Sequence, residues 1–335
     1  MDEKQKKTIL CIVAILLTVC FLMLSSRVFL IVDRYFGKLE VTEDDNYAYK
    51  TGGRPQYLVN GKWYAQKDRV ETYLLIGIDK YEAAVRNENG YRNHQQSDAL
   101  FLIVVDRKDK NYSLIHINRD TMVNIQMLDL SGNVYSDFEG QIALSHTYGS
   151  GREDSCLNTV WSVSDFLYGL QIDHYISITM DAVEVLNDKI GGVTLTVLDD
   201  MTSVDKLLAE GKEVTLRGGL SLTYIRARSE LADSTNVSRM KRQRQYVTAF
   251  LEQAEQAIAE DSSLAYDMVN EIADYLVSDL SVQELIAFAD ILDDYQFAGI
   301  HTIEGEARIG ERFMEFYAEE QALQELVLST FYEVK

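Results

Sequence analysis

The first strong pattern in the chain is continuous rather than periodic. TILCIVAILLTVCFLML, Thr8 to Leu24, runs 17 residues without a charge. A second apolar patch, VFLIV, follows Ser25, Ser26 and Arg27 and brings the apolar length close to the ~20 residues that cross a bilayer. Lys4, Lys6 and Lys7 precede the run, so the positive-inside bias places the N-terminus in the cytoplasm and the rest of the chain outside. No small-x-small cleavage site follows, and the segment reads as a retained signal anchor. The competing reading, a buried core helix, would leave three lysines beside a solitary helix that is apolar all round.

From Phe36 to Val70 the pattern turns polar and irregular, and EDDNYAYKTGGRPQ holds the only proline, Pro55, as in a linker. ETYLLIGID (Glu71 to Asp79), ALFLIVV (Ala99 to Val105) and YSLIHIN (Tyr112 to Asn118) are short runs rich in Ile, Val and Leu, which predict buried strands. DRKDKN separates the second from the third, a polar turn of hairpin length. CLNTVWSVSDFLYGL and DAVEVLNDKIGG have helical spacing and end at glycines, while HYISITM, VTLTVLD and LTYIRAR read as strands. The stretch from Met240 on reads as mainly helical. The expected fold is α/β, a three-layer α-β-α sandwich with a central mixed sheet, preceded by one transmembrane helix. Residues 1–30 are the expected tail and signal anchor, 31–70 a juxtamembrane linker, and 71–335 an extracytoplasmic domain with a helical C-terminal portion.

Charge changes the picture. The 335 residues carry a formal net charge of -21, yet Leu222 to Tyr246 holds six Lys or Arg. So acidic a chain repels nucleic acid on average, and the local concentration of cations points to a small anion. Cys11 and Cys20 fall in the apolar run and leave Cys156 alone, so no disulfide framework or CxxC metal site can be built.

If the second predicted strand runs antiparallel to the first and third, Asp79, Asp98 and Arg119-Asp120-Thr121 meet at one sheet edge. On a strand, Tyr224, Arg226 and Arg228 share one face, and two adjacent guanidiniums repel unless an anion lies between them. On the following helix, Met240, Val247, Leu251, Ala254 and Ile258 form an apolar stripe, with Arg239 and Gln243 one turn apart at its border. A buried arginine needs an anionic partner that fits its planar fork of donors, and phosphate does. Each residue alone has a plainer reading. Lys241, Arg242 and Arg244 suit a solvated helix face, Asp79 or Asp98 a turn or cap, Arg119 with Asp120 an ion pair, and Tyr224 packing.

Taken together, GID, SDALFLIVV, INRDT, YIRAR and SRMKRQRQ, in that order from about Thr72 to Leu251, resemble the LytR-CpsA-Psr family of bacterial cell-wall proteins. The resemblance implies a membrane-anchored phosphotransferase outside the cytoplasm. It would move a glycopolymer, of wall teichoic acid or capsular polysaccharide type, from an undecaprenyl-pyrophosphate carrier to a peptidoglycan hydroxyl. It also implies that Asp79 and Asp98 serve Mg²⁺, and that Arg119, Arg226, Arg228, Arg239 and Gln243 hold the phosphates. One of the two aspartates is the expected base, with Asp120 the third candidate. Gln96 stands where the family commonly has an arginine, Asn118 replaces a proline, Ser238 a glycine and Arg244 a glutamine. A non-catalytic envelope regulator and a lipid-pyrophosphate hydrolase are the competing functional classes.

Overall fold

The structure, a computed structural model, describes residues 56–335 except 60, 82–84, 88–89, 228–235 and 311–312. The expected membrane anchor, Pro55 and Arg228 lie outside the described residues, within which no helix is long and apolar enough to cross a membrane. The chain divides into two compact units, 1–63 and 64–335. The described part of the first holds β1 (Gln56–Val59) and the start of β2 (Lys62–Gln66), so regular structure is present within the stretch read as a linker.

The second unit continues with β3 (Val70–Ile78), β4 (Val85–Asn87), β5 (Gly90–Arg92), β6 (Ala99–Asp106), β7 (Asn111–Ile117), β8 (Met122–Leu128) and β9 (Val134–Gln141). Next come α1 (Glu153–Phe166), β10 (His174–Thr179), α2 (Met180–Lys189), β11 (Val193–Thr196), β12 (Glu213–Leu216), α3 (Gly219–Arg226) and α4 (Asn236–Glu260). The C-terminal part carries α5 (Leu264–Glu271), β13 (Leu276–Ser278), α6 (Val282–Asp294), β14 (Gln296–Thr302), β15 (Gly305–Ile309), β16 (Met314–Ala318), α7 (Glu320–Phe331) and β17 (Tyr332–Val334).

Six strands form the central sheet in the order β13-β10-β3-β6-β7-β14. The pairs β3-β6 and β6-β7 are antiparallel, as the hairpin reading expects, whereas β10-β3 and β7-β14 are parallel, so the sheet is mixed. Every residue of β6 from Leu100 to Val105 is buried, the mark of a strand covered on both faces. Tyr73, Phe101, Ile103 and Leu114 pack on one face against Leu285 and Phe288 of α6 and Val247 and Leu251 of α4. On the other face Ser177 of β10 meets Cys156 of α1.

Several expectations are corrected. LTYIRAR is not a strand: Tyr224 and Arg226 lie on α3. Its buried residues Ser221, Tyr224 and Ile225 repeat at helical spacing, and Gly218 at φ +51° turns the chain in from β12. The β-branched and aromatic content suggested a strand, and packing overrides that propensity. VTLTVLD does form a strand, but β11 pairs only with β12 in a separate ribbon. The C-terminal portion is also less helical than expected, since it supplies five strands, β13 and β14 at the two edges of the central sheet among them.

Arg242 likewise departs from the solvated-face reading. Its side chain is 1% exposed. Nε donates to Tyr224 O at 2.9 Å, Nη2 to Ala227 O, and Nη1 pairs with Asp199 Oδ2 at 2.8 Å. The last carbonyls of a helix lack intrahelical partners, and this guanidinium satisfies two at the end of α3 while tying α3 to α4. Arg242→Met keeps most of the volume and removes all three donors. It is expected to cost about 2–4 kcal/mol of stability, measured by denaturant unfolding, because buried carbonyls lose their donors.

Candidate active site

The antiparallel pairing of β3, β6 and β7 brings the three predicted strand-end positions together. Asp98 N donates to Gly77 O at 2.8 Å, which sets Asp98 beside the end of β3 and so beside Asp79. Arg119 follows β7 at the same edge. Its Nη1 donates to Asp98 Oδ1 and its Nη2 to Gln96 Oε1, while Nε lies 3.6 Å from Asp120 Oδ1. Gln96, which stands where the family commonly has an arginine, is thus an acceptor for Arg119.

Asp79 pairs across the edge with Arg226, Oδ1 to Nη2 at 2.7 Å, and both side chains are 48% exposed. Arg226 is the last residue of α3, a helical end rather than one side of a strand, so its companion Tyr224 turns into the core instead of sharing its face. Arg239 and Gln243 are both buried near the start of α4, as the helical spacing expects. Arg239 Nη2 donates to Asn236 Oδ1 at 2.6 Å, and Gln243 Nε2 reaches Ile225 O at 3.5 Å.

Asp98, Arg119, Arg226, Arg239 and Gln243 line one cleft of about 550 Å³. Against it lies an apolar cavity of about 310 Å³ between the sheet face and α4, α5 and α6, walled by residues such as Phe101, Leu251, Met268 and Phe288. Met180, Ile225 and Gln243 border both spaces. No sequence motif named this lining, since the cavity is made of ordinary core residues drawn from distant elements.

The Arg119-Asp120 loop is buttressed from behind. Gln141 Nε2 donates at 2.8 Å both to Asp120 Oδ1 and to Met314 O, and Phe316 N donates to Asp120 O at 2.9 Å. Asp120 is buried by this C-terminal hairpin, β15-β16, and is not among the residues lining the cleft.

His116, on β7, stacks on Phe101 with ring centroids 4.1 Å apart. Burial, then the positive charges of Arg244 and Arg239, push its pKa down to about 3, so the ring beside Gln243 is neutral at ordinary pH. Arg244 is half-buried, and desolvation lowers its pKa.

Magnesium takes oxygen donors and is commonly held by one or two carboxylates together with substrate phosphates. Asp79 and Asp98 are donors of that kind at one edge. Among the described residues no group of three or more His, Cys, Asp or Glu forms an all-protein cage. The donor set suits the ion when phosphate oxygens complete its shell.

Fold and cleft together define an α/β protein with a cationic cleft bordering an apolar cavity. The model of the LytR_cpsA_psr family matches residues 35–329, and the chain belongs to that family. Biofilm regulatory protein A of Streptococcus mutans is 26% identical over 257 residues, covering 72% of this chain and 59% of the relative. The polyisoprenyl-teichoic acid–peptidoglycan teichoic acid transferase TagT of Bacillus subtilis is 30% identical over 222 residues, covering 64% of this chain and 61% of the relative. The chain thus spans about three-fifths of the length of these relatives. The crystal structure of B. subtilis TagV matches in fold with a TM-score of 0.59 at 20% identity, over 79% of this chain and 96% of that one.

Two outcomes follow from this geometry. The Asp79-Arg226 pair is half-exposed, and such pairs contribute ~1 kcal/mol or less. Arg226→Ala is therefore expected to leave the denaturant unfolding midpoint nearly unchanged. For His116 the folded value of about 3 lies below the ordinary 6.5, so as pH falls through that window the unfolded state takes up the proton first. Stability is expected to drop from pH 6.5 toward 3, and less steeply in His116→Phe, as read from denaturant midpoints at successive pH values.

Proposed function

We propose that this protein is a membrane-anchored phosphotransferase that moves a glycopolymer, of wall teichoic acid or capsular polysaccharide type, from a polyprenyl-pyrophosphate carrier to peptidoglycan. The observation that carries the reading is the junction at Met180, Ile225 and Gln243, where an arginine-lined cleft meets an apolar cavity. A molecule with a charged head and a long hydrocarbon tail suits both halves, and neither half alone calls for the other. Similarity to polyisoprenyl-teichoic acid–peptidoglycan teichoic acid transferases supports the same substrates.

In this reading Arg119, Arg226 and Arg239 hold the phosphate oxygens, Arg228 shares that role, and Gln243 steadies the pyrophosphate where the cleft meets the apolar cavity. Asp79 and Asp98 would hold magnesium, which when bound neutralises phosphate charge. The acceptor hydroxyl oxygen bonds to the phosphorus nearest the glycan as the bond from that phosphorus to the bridging oxygen breaks. Polyprenyl monophosphate leaves, and the hydroxyl proton passes to a carboxylate oxygen of Asp79 or Asp98. The apolar run Thr8 to Leu24 would keep the domain at the membrane where such a carrier resides.

The test is transfer from a synthetic polyprenyl-pyrophosphoryl sugar to a peptidoglycan acceptor by the full chain, with and without Mg²⁺. Turnover is expected to require both metal and acceptor and to fall by roughly 10²-fold or more in Arg119→Ala. Phosphate release at the same rate without acceptor would make the protein a hydrolase. Binding without turnover would make it a non-catalytic module.

A further inference from the structure

The start of α4 is joined to the loop after β7 by two buried asparagines. Asn118 and Asn236 are each 6% exposed and Arg239 is 7% exposed. Asn236 Nδ2 donates to Asn118 Oδ1 at 2.6 Å, Asn236 Oδ1 accepts from Arg239 Nη2 at 2.6 Å, and Asn118 Oδ1 also accepts from the backbone N–H of Asp120 at 3.0 Å.

An amide side chain can present either its oxygen or its nitrogen, so what orients these two must be a group with no such choice. The backbone N–H of Asp120 can only donate, and it therefore holds the oxygen of Asn118 inward. Facing an oxygen, Asn236 must turn its nitrogen toward Asn118, which leaves its own oxygen toward α4. A guanidinium can only donate, and Arg239 meets that oxygen. One backbone N–H in the Arg119-Asp120 loop is thus linked, through two amides, to an acceptor for the buried cation of α4.

We infer that Asn118 and Asn236 are positioning residues that act through Arg239 and set the spacing of Arg119 and Arg239 for the two phosphates of the substrate. The inference rests on the proposed phosphate-binding role of Arg239 and goes beyond it by assigning work to two residues that touch no substrate. A neutral acceptor suits the task. It orients the guanidinium without cancelling its charge.

The experiment is a double-mutant cycle in the full chain, with inorganic pyrophosphate as the probe in calorimetry and unfolding midpoints measured alongside. Asn118→Ala and Asn236→Ala are each expected to weaken binding by roughly three- to tenfold, about the size of one hydrogen bond. In an Arg239→Ala background neither is expected to weaken it further, because the group they position is gone. If Arg239→Ala weakens binding but the asparagine variants do not, or if their losses add in full to that of Arg239→Ala, the positioning role is wrong while the phosphate reading stands. If Arg239→Ala itself leaves binding unchanged, both fall. A loss explained by misfolding would show as a lowered midpoint and would add to that of Arg239→Ala, which is the overturning result.

Discussion

A guanidinium cannot shed its charge inside a protein, so every arginine gathered around the cleft must be matched by something at all times. The structure matches them in graded fashion. Arg242, the most deeply buried, is met by main-chain carbonyls and Asp199, partners that belong to the fold. Arg119 and Arg226, nearer solvent, lean on Asp98 and Asp79, side chains that also offer oxygen donors to an incoming cation. Arg239 has the neutral Asn236 among its partners. Arg119 and Arg226, whose carboxylate partners can exchange, both line the cleft.

A single helix connects the two kinds of space. Arg239 and Gln243 sit in the first turns of α4, while Val247, Leu251 and Ile258 further along border the apolar cavity. From Arg239 to Ile258 the helix axis rises about 28 Å at 1.5 Å per residue. Polar and apolar contacts are therefore fixed on one rigid rod, and Arg242 on the same rod holds the end of α3, where Arg226 projects.

What could be read beforehand was whatever depended on neighbours in sequence or on one pairing. The hairpin DRKDKN forces β6 and β7 antiparallel, and from that alone Asp98 and Arg119 meet. The helical stripe around Met240 likewise predicts the burial of Arg239 and Gln243. LTYIRAR misled because Thr, Tyr and Ile favour strands locally, whereas the buried set Ser221, Tyr224 and Ile225 has helical spacing. Arg242 looked like a surface cation because its partners, the carbonyls of Tyr224 and Ala227, carry no sequence signature. Gln96 and Asn118 were departures from a pattern, and only the structure gives them acceptor roles. Of Asn118 a local hint existed, since an asparagine two residues before Asp120 is an Asx-turn signal.

The edges of the central sheet have a consequence for biogenesis. β10, β3, β6 and β7 are all complete by Thr179, yet β13 and β14, which cover their outer sides, come from residues 276–302. A chain emerging N-terminus first would hold an unfinished four-stranded sheet, with bare ladders on both sides, for about a hundred residues of further synthesis. Bare ladders recruit other strands. The segment after residue 260 thus ends that exposure by pairing with both edges of the sheet.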